Sequence, residues 1–548
     1  MKRVIDATRW GIETTPSHVR FTDSLRKFIL DQLGMDLQTT EKKYSQKRSL
    51  EDIKIKTQLP EEFVTKIKQE FPSTQVSNDL QSRIKNSIGK SYLELLQARL
   101  ADISSLVELV VYPRTHTDVV KLICLANEYK IPISPVGGGT SMTLGIQAPS
   151  GSIAINLSQM NKVLMINKDS LYITTQVGIF GPELERILNH ENLTLGHFPQ
   201  SFEYSTVGGW VVTRGAGQNS TLYGKIEDMI MGMKFVTGYG ETLTIRSAPA
   251  KAAGPDLNQL IAGSEGAFGI LTEVTLRVAK LPQKIKLVGF FFHNFHEGII
   301  AIKNLVQDGY TPAIIRLYNA EETFSSLRSL DLMKDPPNKS FLIQLVLKYV
   351  ELRGYTERYR SLAIVAFEGN SDLVKLTRKK TIAYAKKAGG IFLGSTPGKS
   401  WIKSRYESPF LRDPIIDHGI LLETFETSTT WENIVPLYNA VQKAIKPECP
   451  VLWTHSSHFY KNGANLYFHL WAPQEDGNEV EQFLRIKKKV LDTFLSHGGT
   501  IGHHHGVGRA FSQWLPLEIG EVGIKILHDI KNSFDPNRIM NPGVFGLK

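Results

Sequence analysis

Three consecutive histidines, His503, His504 and His505, stand in the segment IGHHHGVGR. Imidazole is the side chain that titrates nearest neutrality, so such a cluster suits general acid–base work or the binding of a phosphate or carboxylate. In a regular helix or strand neighbouring side chains point in different directions, which disfavours a conventional zinc site and predicts no metal. Three residues earlier in the chain are candidates to act with the histidines. Tyr467, in GANLYFHLW, offers a phenol of ordinary pKa ~10, a proton donor that becomes a base only where nearby positive charge favours its phenolate. Its place in an alternating strand pattern also suits a core tyrosine. Arg316, in IIRLY, and Arg412, in FLRDPIIDHG, present guanidinium forks that match a phosphate, or equally a structural carboxylate such as Asp413 or Asp417.

A second kind of chemistry, anion binding by bare backbone amides, is written into three glycine-rich loops. The first is Pro135, Val136, Gly137, Gly138, Gly139, Thr140 and Ser141. The second runs from Gln200 through Ser201, Phe202, Glu203, Tyr204, Ser205 and Thr206, and continues after a hydrophobic stretch at Thr213, Arg214, Gly215 and Ala216. The third holds Glu265, Gly266, Ala267, Phe268 and Gly269 and leads into Ile270 and Leu271. Neither the triphosphate-binding pattern G-x-x-x-x-G-K-[ST] nor the dinucleotide pattern G-x-G-x-x-G is present in them. Spread over ~130 residues at the ends of strand candidates, they look like one cradle for a long phosphate-bearing cofactor.

The elements that must position these groups can be read from periodicity. From Leu109 to about Ala279 short β-branched runs alternate with the helix-like DVVKLICLANEYKIP and GPELERILNHEN. That predicts an α+β domain over 101–280. After Pro282 the runs KLVGFFF, PAIIRLY, FLIQLVLKYV and AIVAFEG read as strands of a mostly antiparallel sheet, with SDLVKLTRKKTIAYAKKAG as a helix, giving a cap or substrate domain over 281–500. Residues 1–100 are expected to be a mainly helical extension with a solvated polar stretch from Glu41 to Lys56, and 501–548 a helical segment returning to the first domain.

Composition sets limits on function. Of 548 residues 41% are hydrophobic and 22% charged, ordinary for a globular protein, and no run supplies the ~18 apolar residues that span a bilayer. The N-terminus lacks the apolar core of a secretory signal. Two cysteines, Cys124 and Cys449, allow no disulfide framework, suit a reducing compartment, and are expected to be buried packing residues. The formal charge of +10 favours an anionic ligand or membrane surface; its bases are scattered among acids, so no nucleic-acid partner is expected.

The order PVGGGTS, FEYSTVGGW, TRGAG, GSEGAFGILTEVTL and the closing DPNRIMNPG is similar to the FAD-binding vanillyl-alcohol-oxidase and p-cresol-methylhydroxylase family. The resemblance implies that family's two-subdomain FAD-binding domain plus an α/β cap with an antiparallel sheet. It also implies FAD, held by all the loop residues named above; with no obvious histidine or cysteine beside the first loop, that FAD is expected to be non-covalent. Two departures, Gln200 where relatives commonly have Asp and TRGA in place of TRAS, fall in a largely backbone-mediated site.

Within that family YGKIEDM, IIRLY, LRD followed by ETFETSTTWENI, GANLYF and HHHGVG, with WGIE near the start, resemble the ether-lipid-forming branch. That resemblance implies exchange of the acyl group of acyl-dihydroxyacetone phosphate for a long-chain fatty alcohol, giving the ether and a fatty acid with no net redox. It casts Tyr467 as proton donor and acceptor, with Arg412 binding substrate. His503, His504 and His505 would support acid–base chemistry or ligand placement, and Arg316 would hold the site's architecture. Arg412 and the histidines are expected to supply the positive charge that a basic tyrosine needs. A cytoplasmic enzyme peripheral to a membrane, and a homodimer, are further expectations; the C-terminal Phe-Gly-Leu-Lys carries no S-K-L type peroxisomal address. The alternative on the same fold is an FAD-dependent dehydrogenase or oxidase of a 2-hydroxy acid or another alcohol; a non-catalytic flavin or lipid carrier is a third.

Overall fold

The computed structural model describes residues 6–11, 22–37, 43–44, 58–103, 105–329 and 341–547. Most of the polar stretch Glu41–Lys56, and Ile12 and Glu13 of WGIE, lie outside them.

The described residues are α+β and build three main sheets. Strands β1 (Val76–Ser77), β2 (Leu109–Val111), β3 (Ile133–Val136) and β4 (Ile153–Asn156) form the first, in the order β1-β2-β4-β3. Its core strands are parallel and buried on both faces, which explains why LVV and IAIN read as uninterrupted apolar runs. Strands β5 (Val163–Asn167), β6 (Tyr172–Gln176), β7 (Leu193–Thr194), β8 (Ile230–Thr237), β9 (Thr242–Ile245), β10 (Gly269–Arg277) and β11 (Ala279–Lys280) follow. Of these, β7 pairs with β11, and the others form an antiparallel sheet in the order β5-β6-β10-β8-β9. One continuous hydrophobic cluster, including Phe235, Ile270 and Trp210, joins both sheets.

The third sheet holds β12 (Lys284–Phe292), β13 (Ile314–Tyr318), β14 (Ser361–Gly369), β15 (Ile391–Phe392), β16 (Ile420–Thr430), β17 (Val451–Ser456) and β18 (Gly463–Pro473). Its order is β15-β12-β14-β13-β17-β18-β16 and every pairing is antiparallel. Side chains alternate across a strand, and here the alternation divides labour. Phe425, Leu452, Leu466, Phe468 and Leu470 pack into a core with the helices Ile434–Ile445 and Glu479–Ser496. The polar and aromatic residues between them face the other way.

Two expectations are corrected. FLIQLVLKYV is not a strand but the start of the helix Phe341–Leu352. A short apolar run reads either way by periodicity; here Leu347 and Val350, three apart, join the cluster around Tyr318 and Leu362, while Tyr349 and Leu352 point outward. Cys124 is exposed, because it falls outside the buried Val119, Leu122, Ile123 and Ala126 stripe of the helix His116–Glu128. Cys449 is buried as expected. Among the described residues no helix is long and apolar enough to cross a membrane.

The DPNRIMNPG turn is fastened to the first sheet. Ile133 N–H donates to the Ile539 carbonyl (2.7 Å) and Asn541 N–H to the Ile133 carbonyl (2.8 Å). Buried Asp535 accepts from Lys531 Nζ (2.6 Å) and from the amides of Ile539 and Met540 (3.1 and 2.8 Å). Removing one partner of a buried ion pair strands the other charge. Asp535→Ala is therefore expected to lower stability by about 3–5 kcal/mol, read as a fall in the urea unfolding midpoint; an unchanged midpoint would contradict this role.

Candidate active site and cofactor cradle

A cavity of about 460 Å³ lies between the glycine loops and one face of the seven-stranded sheet. Strand alternation supplies the sheet wall: Arg316 and Tyr318 from β13, Trp453 and His455 from β17, Tyr467, His469 and Trp471 from β18, and Leu422 and Thr424 from β16. Register places Glu426 directly opposite Tyr467, and Tyr467 opposite His455.

The three histidines form a turn wrapped around Glu426. The backbone amides of His503, His504 and His505 all donate to its Oε1, at 2.8, 2.9 and 3.1 Å. His504 Nδ1 lies 3.1 Å and His503 Nδ1 3.6 Å from Oε2. Burial alone would push the Glu426 carboxyl up, but His504 and then its neighbours outweigh it and hold the group well below the usual carboxylate range. Tyr460 hydroxyl bonds His503 Nε2 (2.6 Å), and Lys225 Nζ, from YGKIEDM, holds the His503 carbonyl (2.7 Å). His504 and His505 line the cavity; His503 sits behind them and does not.

Tyr467 lies within an imidazole cage. Its ring centroid is 5.0 Å from His455 and from His469, 5.7 Å from His505 and 6.0 Å from His504. The expected cationic surroundings are not found for most of these. Burial holds His505 down at about 4 and His469 at about 3, and takes His455, His458 and His503 well below the ordinary imidazole value. Burial likewise pushes Tyr467 up to about 12. At neutral pH Tyr467 is a phenol, poised to give a proton rather than to take one.

Neither arginine pairs with Asp413 or Asp417, whose carboxylates bind Arg99. Arg316 Nη2 instead lies 3.2 Å from His455 Nδ1 and 3.6 Å from Glu322, which itself sits 3.0 Å from His455. Arg412 donates to the Lys90 carbonyl (2.7 Å) and to Glu423 (3.2 Å), while its buried Nε has no acceptor among the described residues. Both arginines line the cavity.

The opposite wall fits FAD. Among the described residues, the amides of Gly137, Gly138, Gly139 and Thr140 donate to no protein acceptor, and all four residues line the cavity. A row of free N–H groups is an anion nest suited to a pyrophosphate. A Cβ on Gly138 would collide with the Tyr204 carbonyl and the Ser205 Cα, both backbone atoms, so the first loop lies directly on the second. Pro135, Val136, Ser141, Gln200, Ser201, Ser205, Thr206, Thr213, Gly215, Ala216, Glu265, Gly266, Gly269, Ile270 and Leu271 also line this wall. Phe202, Glu203, Tyr204, Arg214, Ala267 and Phe268 do not. Arg214 binds the carbonyls of Gln259 and Ala262, and Phe268 packs on Phe534. The Glu265 carboxylate is already taken by the amides of Val507 and Gly508.

Sequence reasoning did not single out His455, His458, His469, Glu322, Glu426, Trp453 or Trp471. A signal existed, since Trp453 and His455, and Tyr467, His469 and Trp471, recur at the strand period of two. Glu426 lay within the quoted ETFETSTTWENI but was given no role there, and Glu322 carried no signal, because its partners lie far away in the sequence.

The FAD binding domain family matches residues 107–246, and the C-terminal domain of FAD linked oxidases matches residues 281–545. Cradle, sheet wall and matches together define a flavoprotein of the FAD-linked oxidase type. p-Cresol methylhydroxylase shares the fold, with a TM-score of 0.65 at 17% identity over 89% of this chain and 98% of that one. Alkyldihydroxyacetonephosphate synthase of Dictyostelium discoideum is 34% identical over 88% of this chain and 80% of its own length. A solved alkyldihydroxyacetonephosphate synthase structure superposes with a TM-score of 0.82 at 30% identity, covering 98% of this chain and 97% of that one. The chain belongs to the alkyldihydroxyacetonephosphate synthase family.

Two outcomes check this geometry. Gly138→Ala is expected to cut the flavin content of the purified protein at least about tenfold, since backbone cannot yield to the new methyl group; normal flavin content would refute the packing. The ring resonances of His469 and His505 are expected not to titrate between about pH 5 and pH 8; a midpoint near 6.5 for either would refute their burial as neutral groups. The linkage has a definite sign: as pH falls below the unfolded value of about 6.5, the unfolded chain binds protons these two folded imidazoles refuse, so they erode stability in acid.

Proposed function

We propose that this protein is a flavin-dependent ether-lipid synthase, which exchanges the acyl group of acyl-dihydroxyacetone phosphate for a long-chain fatty alcohol. The C–O bond to the acyl group breaks, a C–O bond to the alcohol forms, and the fatty acid leaves. The observation that carries this is one continuous cavity joining an anion nest, a phenol caged by imidazoles, and an apolar end of Leu25, Leu411, Trp453 and Trp471. Membership of a family whose relatives bear the synthase name supports it.

FAD bound in the cradle supplies an electrophilic centre with no net oxidation. The chain's own residues supply placement and protons. Tyr467, a phenol at neutral pH, gives the proton, and the neutral ring of His505 beside it can accept one. Arg412, with its unpaired Nε, binds the substrate, and Arg316 fixes His455 and Glu322. We also read the protein as a cytoplasmic homodimer that works at a membrane surface. Its net charge of +10 supports the membrane contact. Exposed Leu517, and Val522 and Ile526 beyond the kink at Gly520 in the segment Leu515–Phe534, offer apolar side chains for association.

The test is an anaerobic assay with palmitoyl-dihydroxyacetone phosphate and labelled hexadecanol. Label is expected in an alkali-stable lipid without consumption of an electron acceptor, and Tyr467→Phe is expected to lower the rate by about 10²–10⁴-fold. No transfer, together with flavin bleaching by a 2-hydroxy acid, would place the protein among the dehydrogenases instead.

A further inference from the structure

The turn that carries the histidines brings together more ligand atoms than proton transfer requires. His503 Nδ1 and His504 Nδ1 lie 2.9 Å apart, and Glu426 Oε2 is 3.1 Å from the second and 3.6 Å from the first. Tetrahedral zinc with bonds of about 2.0–2.1 Å needs ligand atoms about 3.3 Å from one another. The three separations straddle that edge. A ring nitrogen of His458 joins those of His503 and His504, all three imidazole ligand atoms being within 4.8 Å of one another, and among the described residues its buried Nδ1 has no hydrogen-bond partner. Adjacent histidines diverge in a helix or strand, but here the amides clamped on Glu426 Oε1 bend the backbone so that two neighbouring Nδ1 atoms converge. The far nitrogen of His503 is already oriented by Tyr460 (2.6 Å), the supporting contact that metal-bound histidines use.

We propose that His458, His503 and His504 form a buried site for a zinc-class divalent cation, with Glu426 Oε2, which lies against His503 and His504, closing in as the fourth ligand. The ion takes the place of the proton between the two Nδ1 atoms, which moves to the far nitrogen of its own ring, so that each histidine binds as a neutral imidazole. With four protein ligands and no open position, the bound ion activates no water. It locks the turn that also carries His505 and ties up the Nδ1 atoms of His503 and His504, so that neither can hold or move a proton beside Tyr467, and turnover is silenced. The positive charge of Lys225 bears on both His458 and His503, and Glu227 pairs it at 2.9 Å. The silencing rests on the exchange reaction proposed above; the binding does not.

The flavoprotein, stripped with a chelator and dialysed against micromolar free zinc, is expected to retain one zinc per chain by atomic emission. Cobalt(II) in its place is expected to give the strong visible bands of a tetrahedral site, read against the metal-free flavin spectrum. His458→Ala is expected to weaken zinc binding about tenfold or more and Tyr460→Phe about tenfold, with flavin absorbance showing that each variant is folded. In the exchange assay zinc is expected to abolish label transfer and chelator to restore it. Less than stoichiometric zinc, weak octahedral cobalt bands in the wild-type protein, or folded variants that bind as tightly as wild type would overturn the site. Stoichiometric zinc with undiminished transfer would overturn the silencing alone, and a protein that binds zinc but transfers no label without it would count against the synthase reading, leaving the site standing.

Discussion

A carboxylate with no access to water has to be met by donors, and Glu426 is met by three successive main-chain amides. Those amides cannot converge on one oxygen unless residues 503–505 fold as a tight turn, and the turn decides where each imidazole points. Because Glu426 stands on the strand opposite Tyr467, the same bond sets the distance between the histidines and the phenol. Burial then strips the cage of most of its positive charge, so Tyr467 keeps its proton. The electrostatic character of the site follows from one buried acid and the segment folded around it.

The cradle depends on a parallel arrangement. Glu265, in the third glycine loop, receives the amides of Val507 and Gly508 just beyond the histidines. Arg509 reaches the carbonyls of Leu144 and Gly145 next to the first loop, and Asn541 ties Gly145 to Glu265. Burial raises the Glu265 carboxyl to about 7. The cofactor wall and the catalytic wall are thus held in register by one stretch of backbone, residues 503–510, whose amides serve an acid on each side.

Much of this was legible in the sequence because it is local. Glycine runs, strand periods and the helix His116–Glu128, with its Thr115 and Asp118 capping box, show themselves over a few residues. What was not legible is non-local or depends on environment. That FLIQLVLKYV is helical is settled by what it packs against, and the same holds for the exposure of Cys124. The neutral state of His469 and His505 comes from desolvation, which no spacing reveals. Whether Arg316 and Arg412 meet a phosphate or a carboxylate was left open by the sequence; Asp413 and Asp417 stand beside Arg412 in the chain, but Arg99 binds them.

The bonds that close the cradle join residues very far apart along the chain, 243 positions between Glu265 and Gly508 and 365 between Leu144 and Arg509. Contacts of such long range form late, because the loop-closure entropy must be met before they stabilise anything. The anion nest on the first loop can exist early, but the wall that shuts behind it cannot. A complete flavin cradle therefore requires the two halves to be docked, and tight flavin binding reports that docking rather than the folding of either half.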